Sequence, residues 1–295
     1  MHRKKRSICT IDIVSFFIVT AFAFICLMPF LYIASASISD ENTLIMEGYT
    51  IIPRKIATQA YEIVLRGAQI WDCYKVSIFT ALMGTFLSLV LSSMIAYPLS
   101  TKRLKYGAVI NFYVYFTMLF TGGLVPTYIL ISRYLKMTNT VWVLIIPTLI
   151  IPWNMFLLRN FYASIPASLA ESAKIDGAND LVILVRVILP CSKPALATVG
   201  LFYALGYWNE WFKAMLYNSG DKKTWPLQYL IMQIIRKAET ITNMAAQGID
   251  VGAASMPSST MKMATAICTI GPIILAYPFV QRYFTGGIMV GSVKG

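Results

Sequence analysis

Residues 169–190 read LAESAKIDGANDLVILVRVILP, and this stretch differs in character from the chain on either side of it. It carries acids, bases and small residues in the manner of a soluble protein, whereas its flanks are strongly apolar. Two of its acids, Glu171 and Asp176, stand five apart and make a weak active site, because no activated nucleophile or metal-ligand cluster lies near them in the sequence. The stretch therefore suits a mechanical contact with another protein better than a reaction centre.

The same stretch predicts two short helices joined by a tight turn. Ser164-Ile165-Pro166 is a helix start, since proline is tolerated in the first helical turn. Asp176-Gly177 closes the first helix, because glycine readily adopts the left-handed conformation of a helix end. Residues 178–189 form a second helix with a heavily apolar face, and Pro190 is expected to end it. Small and charged residues are thus presented together on a knob: Ala170, Glu171, Ala173, Lys174, Asp176 and Gly177.

Composition places the whole chain in the membrane class. Of its 295 residues, 57% are hydrophobic and 13% charged, with a mean hydropathy of +0.65, whereas soluble domains carry about a quarter charged residues. A helix needs about 20 residues to cross a hydrocarbon core of roughly 30 Å. Six apolar runs are candidates, namely 13–39, 76–101, 106–132, 137–158, 194–217 and 263–281. We predict an all-α integral membrane protein with six transmembrane helices in a single domain, 1–295.

Basic residues predict the orientation, because short cytoplasmic loops carry an excess of Lys and Arg. The N-terminus reads MHRKKR, and the loop after the second run contains Lys102, Arg103 and Lys105. The loop with Arg133 and Lys136 falls on the opposite side. We therefore place in the cytoplasm the tails 1–12 and 282–295 and the loop 159–193, and outside the cell the loops 40–75 and 218–262.

The first apolar run favours an uncleaved anchor, since 13–39 is too long for the core of a signal peptide. Cleavage near the ASAS at 34–37 is the alternative. The net charge of +12 does not indicate nucleic-acid binding, because the basic residues are scattered over loops.

Cysteine and histidine usage argues against most catalytic chemistry. The five cysteines are dispersed without metal-ligand or disulfide spacing, and His2 is the only histidine. This excludes Ser-His-Asp and Cys-His catalysis and most zinc chemistry.

The second external loop contains one amphipathic helix. Leu227, Leu230, Ile231, Ile234 and Ile235 fall on one helical stripe. This stripe either lies on the rest of the protein or the lipid surface, or helps to dock an external partner.

Residues 169–190 also resemble a known family signature. Glu171-Ser172-Ala173, then Gly177, then Ile188-Leu189-Pro190 resembles the EAA signature of ATP-binding cassette (ABC) importer permeases, and Asp176-Gly177-Ala178 stands for its DGA. Ser172 replaces an alanine of the signature, so a small residue is kept. The C-terminus YPFVQRYFTGGIMVGSVKG and the WNEWFKAMLY at 208–217 resemble the second permease subunit of maltose-type carbohydrate importers. MKMATAICTIGPIILAYPF is similar to the complex-sugar branch of Gram-positive bacteria.

The resemblance implies the type I ABC importer permease fold in a bacterial plasma membrane, with lipid around it. The implied partners are a sister permease subunit, two copies of an ATP-binding subunit and an extracellular sugar-binding protein. ATP and Mg would be bound by the ATP-binding subunits, and this chain would bind no cofactor or metal. The residues implied to couple the permease to its ATPase are Glu171, Ser172, Ala173, Asp176, Gly177 and Ala178. Of the C-terminal tail, Ser292, Lys294 and Gly295 would reach the ATPase interface.

An oligosaccharide or complex-carbohydrate fragment is the implied cargo. Sugars stack on aromatic rings and hydrogen-bond to amides, so polar and aromatic residues inside the spans are candidates for the translocation path. These are Tyr115, Trp153, Asn154, Tyr203, Trp208, Asn209 and Glu210. Glu210 and Lys213 stand three apart and could instead pair with each other. Each aromatic residue could equally be a packing residue.

Three other functions stay open at this point. An ABC importer for a non-sugar solute would keep the EAA signature. A membrane-embedded glycan or lipid transferase would need an acid–base set, and carboxylates within the apolar runs are almost absent. A sensor or scaffold would move no solute with ATP.

Overall fold

The computed structural model describes residues 10–66, 68–101, 103–247 and 258–287. In this part of the chain the regular elements are helical, apart from an isolated antiparallel bridge between Ser39 and Ile56. The α-helices are α1 Thr10–Ser37, α2 Glu41–Glu47, α3 Gln59–Arg66, α4 Ala68–Ser100, α5 Gly107–Leu119, α6 Leu124–Ile129, α7 Trp142–Ile145, α8 Pro152–Ser164, α9 Ala167–Ile175, α10 Asp180–Ile183, α11 Leu189–Cys191, α12 Lys193–Trp208, α13 Phe212–Tyr217, α14 Leu227–Ala246 and α15 Ser258–Gly287. The π-helical segments are Leu130–Tyr134 and Leu184–Ile188, and the 3₁₀ segments are Ile146–Thr148 and Lys222–Thr224.

Two single helices are long and apolar enough to cross a membrane, over Ile13–Ser37 and Gln69–Ser100. Three bent pairs of helices meet the same requirement together, so that the described residues offer up to five crossings by length and composition. The predicted count of six stays a prediction.

The apolar runs 106–132 and 137–158 do not form single straight helices. The first run bends by 106° between Leu119 and Leu124, where the weak helix formers Gly122-Gly123 interrupt the apolar sequence. The second bends by 51° between Thr148 and Pro152, because the proline lacks the N–H that would continue the hydrogen-bond ladder.

Two boundaries also differ from the sequence prediction. α4 begins at Ala68, inside the predicted external loop 40–75, and its first turns carry a Lys75–Asp72 ion pair of 3.1 Å. Pro190 does not end the second helix of residues 169–190. It lies in the first turn of α11, where a missing N–H costs little, and the preceding π-helical turn is closed by the N–H of Leu189 on the carbonyl of Leu184.

The chain divides into two compact units, 1–67 with 233–271, and 68–232 with 272–295.

In the first unit, Asp40 caps α2 by accepting a hydrogen bond from the N–H of Thr43 at 3.3 Å. This bond lowers the pKa of Asp40 below its ordinary value, so the cap stays anionic until the pH falls well into the acid range.

The Glu41 carboxylate holds the start of α15 within the same unit. It accepts hydrogen bonds from the backbone N–H groups of Ser259 and Thr260, both at 2.8 Å, and from the Thr260 hydroxyl at 2.6 Å. A carboxylate satisfies the free amides of a helix N-terminus and interacts favourably with the helix dipole. The contact joins residues 218 and 219 positions apart in the sequence.

We expect Glu41→Gln to lower the free energy of unfolding by about 1 kcal/mol, because the amide keeps one acceptor but loses the charge. Thermal unfolding in detergent would measure the change. Glu47→Gln is the matched control, since Glu47 forms an exposed ion pair with Arg54 and such pairs contribute little. Equal unfolding temperatures for the two variants would contradict the assigned role of Glu41.

The second unit is built on α4, which packs against α8 and α12. A buried cluster joins these helices to the segment after α9 and includes Met155, Leu158, Ile183, Leu184 and Ile188. The amphipathic stripe of α14 is confirmed, with Leu227, Leu230 and Ile231 buried. The N–H of Leu227 donates to the hydroxyl of Ser77 on α4 at 2.8 Å. The first turns of α14 therefore pack on the chain itself.

Candidate functional site

The knob predicted from residues 169–190 is α9 with its closing turn. α9 ends at Ile175, and Gly177 follows with φ +81°, in the left-handed region. The N–H of Gly177 donates to the carbonyl of Lys174 at 3.0 Å, and that of Ala178 to the carbonyl of Ala173 at 2.9 Å. This pair of bonds is a Schellman motif. The Asn179 side chain then caps α10 through the N–H of Val182 at 2.8 Å.

The two faces of α9 have different environments. Ala170 and Ala173, with Ala178 after the turn, pack against the buried cluster of the second unit. Glu171, Ser172, Asp176 and Gly177 are exposed, and Ile175 is 87% exposed. Alanine allows a close backbone approach, so the inner face of α9 packs directly on the buried cluster. The polar face and the side chain of Ile175 stay exposed. The six predicted coupling residues thus lie together on one knob.

Two ion pairs flank this knob. A guanidinium nitrogen of Arg103 lies 3.5 Å from a carboxylate oxygen of Glu171, and the ammonium of Lys174 lies 3.1 Å from a carboxylate oxygen of Asp180. All four side chains are at least 38% exposed, so neither pair stabilises the fold by more than about 1 kcal/mol. The Arg103 contact instead ties the loop after α4 to α9 at the position of the signature glutamate.

A cleft of about 700 Å³ opens beside α9. The end of α4, the end of α8, α9 and α10 enclose it, and its lining includes Tyr97, Arg103, Tyr162, Glu171, Lys174 and Leu184. None of the seven residues predicted for the translocation path belongs to the described lining of this cleft.

A ladder of tyrosine and serine side chains crosses the core of the second unit. Tyr203 and Tyr207 on α12 pair with Ser92 and Ser88 on α4, with oxygen–oxygen distances of 2.8 and 2.9 Å. The Tyr162 hydroxyl on α8 donates to that of Ser93 at 3.0 Å. All these tyrosine and serine side chains are buried, so each hydroxyl finds its hydrogen-bond partner away from solvent.

The ladder also reaches the break between α7 and α8. The N–H of Ile151, the residue before Pro152, donates to the Tyr203 hydroxyl at 3.1 Å. The Tyr207 hydroxyl donates to the carbonyl of Ile145 at 3.3 Å. A broken membrane helix frees backbone groups that neighbours must satisfy, and these two tyrosines do so here. Tyr203, 1% exposed, is therefore placed as a structural bridge.

Tyr203→Phe is expected to cost about 1 kcal/mol in the free energy of unfolding, because it leaves the Ile151 N–H and the Ser92 hydroxyl without this partner. Thermal unfolding in detergent measures the loss. Tyr113→Phe serves as the control, since Tyr113 is exposed on α5. A Tyr203→Phe protein as stable as the control would show that the bridge contributes nothing.

The other candidates for the translocation path lie in several environments. Asn154 on α8 and Trp208 at the end of α12 are buried, whereas Tyr115 on α5 and Trp153 on α8 are at least half exposed. Asn209 is exposed, and its side-chain oxygen accepts a hydrogen bond from Gln228 at 3.1 Å.

Glu210 and Lys213 form an ion pair, as the spacing allowed. Both side chains are only about 15% exposed, and the ammonium also lies 3.4 Å from the Thr148 hydroxyl beside the α7–α8 break. The tail residues Ser292, Lys294 and Gly295 lie outside the described residues.

No family model matches the sequence. The chain is 40% identical over 277 residues to the polygalacturonan/rhamnogalacturonan transport system permease protein YtcP of Bacillus subtilis (strain 168), covering 93% of this chain and 94% of that protein. The chain belongs to the permease subunits of ABC sugar importers. This permease is also 38% identical to protein LplC of the same organism, covering 92% of this chain and 90% of LplC.

A solved structure supports the fold of this permease. The crystal structure of a bacterial ABC transporter involved in the import of the acidic polysaccharide alginate matches with a TM-score of 0.80 and 33% identity. The match covers 96% of this chain and 100% of that chain. The family and the general function predicted from the EAA resemblance are confirmed.

Sequence reasoning missed two groups of residues in this permease. It treated Arg103 only as a topological charge, and nothing in the sequence pairs it with Glu171, 68 positions away. It also missed the serines of α4. Their signal was present, because Ser88 and Ser92 share the four-residue spacing of Tyr203 and Tyr207, which places each pair on one helical face.

Proposed function

We propose that this permease carries acidic, uronate-containing oligosaccharides across the plasma membrane of a Gram-positive bacterium, and that α9 couples the movement to ATP hydrolysis in partner subunits. The observation that carries the coupling proposal is the construction of α9. Its alanine face is anchored on the buried cluster, its end is fixed by two backbone hydrogen bonds, and its polar face is open.

The substrate class rests on the relatives. One is a permease for polygalacturonan and rhamnogalacturonan at 40% identity, and the solved structure belongs to an importer of the acidic polysaccharide alginate. All three polysaccharides contain sugars with carboxylates. The Bacillus source of YtcP and LplC supports the Gram-positive assignment.

In the proposed mechanism, Glu171 and Asp176 present carboxylates to the ATPase subunit while Ser172 and Gly177 allow its surface to come close. A sister permease forms the other half of the pathway, and an extracellular binding protein delivers the sugar. ATP and Mg are bound by the two ATPase subunits. Their closure would displace α9 as a rigid body, because the Schellman turn and the alanine contacts prevent it from deforming locally.

The alternation between inward-open and outward-open states follows from differential binding. ATP shifts the equilibrium only if the closed ATPase pair favours one arrangement of α9. The buried cluster is continuous from α9 through Ile183 and Ile188 to α4, α8 and α12, so a shift of α9 is transmitted to the core of the second unit. The exposed Lys174–Asp180 ion pair also links α9 to α10.

The test is ATP hydrolysis by the complete complex in lipid nanodiscs. We expect binding protein loaded with tetragalacturonate to stimulate hydrolysis and maltotetraose to have no such effect. Glu171→Ala should reduce the stimulation roughly tenfold, which corresponds to about 1.4 kcal/mol of coupling free energy.

Glu47→Ala is the matched control, because Glu47 also pairs with an exposed arginine but is the last residue of α2, away from α9 in the sequence. Full stimulation in Glu171→Ala would refute the coupling role. Stimulation by the neutral sugar alone would refute the acidic substrate and leave the coupling role standing.

A further inference from the structure

A cluster of cations lies at the end of the second unit opposite α9. α12 runs away from the α10–α11 segment for 16 residues, or about 24 Å, and α13 continues to Tyr217. There the N–H of Asn139 donates to the carbonyl of Tyr217 at 2.9 Å, and the Asn218 amide donates to the carbonyl of Thr140 at 3.0 Å. These bonds join the loop after α6 to the loop after α13. In the proposed orientation this end is extracellular.

The joined loops carry four exposed cations, Arg133, Lys136, Lys222 and Lys223. No ion pair to any of them is found within the described residues. The one carboxylate between them, Asp221, caps the 3₁₀ segment through the N–H of Lys223 at 3.0 Å. By contrast, Arg54, Lys55 and Lys75 in the first external loop and the adjoining start of α4 are each paired with an acid. We call Arg133, Tyr134, Lys136, Lys222 and Lys223 the cationic rim.

Backbone geometry in the rim is unusual. Lys136 at φ +51° and Asn139 at φ +57° are the non-glycine residues with positive φ in the described part of the chain. At Lys136 this conformation closes the helical segment, because the N–H of Met137 donates to the carbonyl of Ile131 at 3.1 Å, and it fixes the lysine in place at the helix end. The π-helical segment Leu130–Tyr134 precedes them, and π-helical turns are frequent at functional sites. External loops of membrane proteins also tend to be poor in lysine and arginine, so the rim has no topological explanation.

We propose that the cationic rim is a capture site for carboxylated sugar units on the outer face of the permease. The site rests on the proposed function, because it requires an acidic oligosaccharide as cargo. The cations attract the carboxylates before contact, and the effect weakens with salt. The ring of Tyr134, 77% exposed, offers a stacking surface for the apolar face of a sugar.

The composition of the rim favours a sugar over an acidic protein surface. A stable protein contact needs about 800 Å² and 20 to 30 residues on each side. The rim instead combines a few unpaired cations with one exposed aromatic ring on a hydrogen-bonded scaffold. This is the arrangement that a short anionic sugar can use.

The experiment measures sugar binding to the complex in nanodiscs without the binding protein. The probes are tetragalacturonate, maltotetraose and a tetra-aspartate peptide. Titration calorimetry measures the affinity of each probe at low and at high salt. The rim variant combines Lys136→Gln, Lys222→Gln and Lys223→Gln. The control variant combines Arg54→Gln, Lys55→Gln and Lys75→Gln, which removes the same charge from ion-paired positions. A Tyr134→Ala variant tests stacking separately.

We expect tetragalacturonate to bind wild type and the control alike, with an affinity that falls as salt rises. The rim variant should bind at least about tenfold more weakly, a loss of about 1.4 kcal/mol, and Tyr134→Ala should also weaken binding. Equal binding to the rim variant, or tetra-aspartate binding as tight as the sugar, would overturn the proposal. So would weaker docking of unloaded binding protein to the rim variant with sugar binding unchanged, because the rim would then be a protein contact. Stimulated hydrolysis in wild type, measured in parallel, reports the proposed function independently.

Discussion

Gly177→Pro is expected to reduce the stimulation of ATP hydrolysis by sugar-loaded binding protein at least about tenfold, within the usual range of coupling free energies. Gly177 has φ +81°, and proline is confined to a φ near −65°. The substitution also removes the N–H that donates to the carbonyl of Lys174. The Schellman turn cannot then form, and α9 would lose the fixed end that lets it move as a rigid body. Hydrolysis by the assembled complex, with and without loaded binding protein, measures the effect.

Gly48→Pro is the matched control for this experiment. Gly48 has φ +80°, and its N–H donates to the carbonyl of Leu44 at 3.1 Å to close α2. At both glycines an added Cβ would meet nothing within 4 Å, so the two variants differ in position and not in crowding. We expect Gly48→Pro to keep the stimulation while losing a similar helix end. Equal losses in both variants would mean that general instability, and not coupling through α9, explains the result.

The knob at α9 could be predicted in detail because its structure is local. Gly177 marks where the turn falls. Ala170 and Ala173 were predicted to be presented with the charged residues, whereas they pack against the buried cluster, because the position of that cluster cannot be read from α9 alone. Five of the six apolar runs overlap helices or bent helix pairs that are long and apolar enough to cross a membrane. Absence of charge does not show where a helix breaks, and the bends at 120–123 and 149–151 fall at Gly122-Gly123 and next to Pro152.

Pairings between distant segments could not be read from the sequence. The pairing of Tyr203 with Ser92 requires knowing that α12 packs on α4, and a charge-free sequence gives no such information. Tyr203 was accordingly interpreted as a candidate sugar contact, whereas the structure assigns its hydroxyl to Ser92 and the N–H of Ile151. The positive φ of Lys136 likewise has no sequence signal, because lysine gains nothing from that conformation by itself.

We expect Gly84→Ala to destabilise the fold strongly, because α4 and α12 approach each other closely at this position. A Cβ at position 84 would lie 2.6 Å from a ring carbon of Tyr207, well inside van der Waals contact. The ring cannot easily move away, because Tyr207 is buried and its hydroxyl bonds both Ser88 and the carbonyl of Ile145. The added methyl group must therefore separate the helices or break these bonds. We expect a loss of up to about 3 kcal/mol in the free energy of unfolding, the upper part of the usual range for overpacking.

Gly206→Ala is the control that isolates this clash from the general effect of replacing a helical glycine. Gly206 lies within α12, and a Cβ there would meet nothing within 4 Å. Alanine is the better helix former by about 1 kcal/mol, so Gly206→Ala should match or exceed wild type in thermal unfolding in detergent. The two substitutions are chemically identical and should move the unfolding temperature in opposite directions. A Gly84→Ala protein as stable as Gly206→Ala would show that α4 and α12 are not held together through Tyr207.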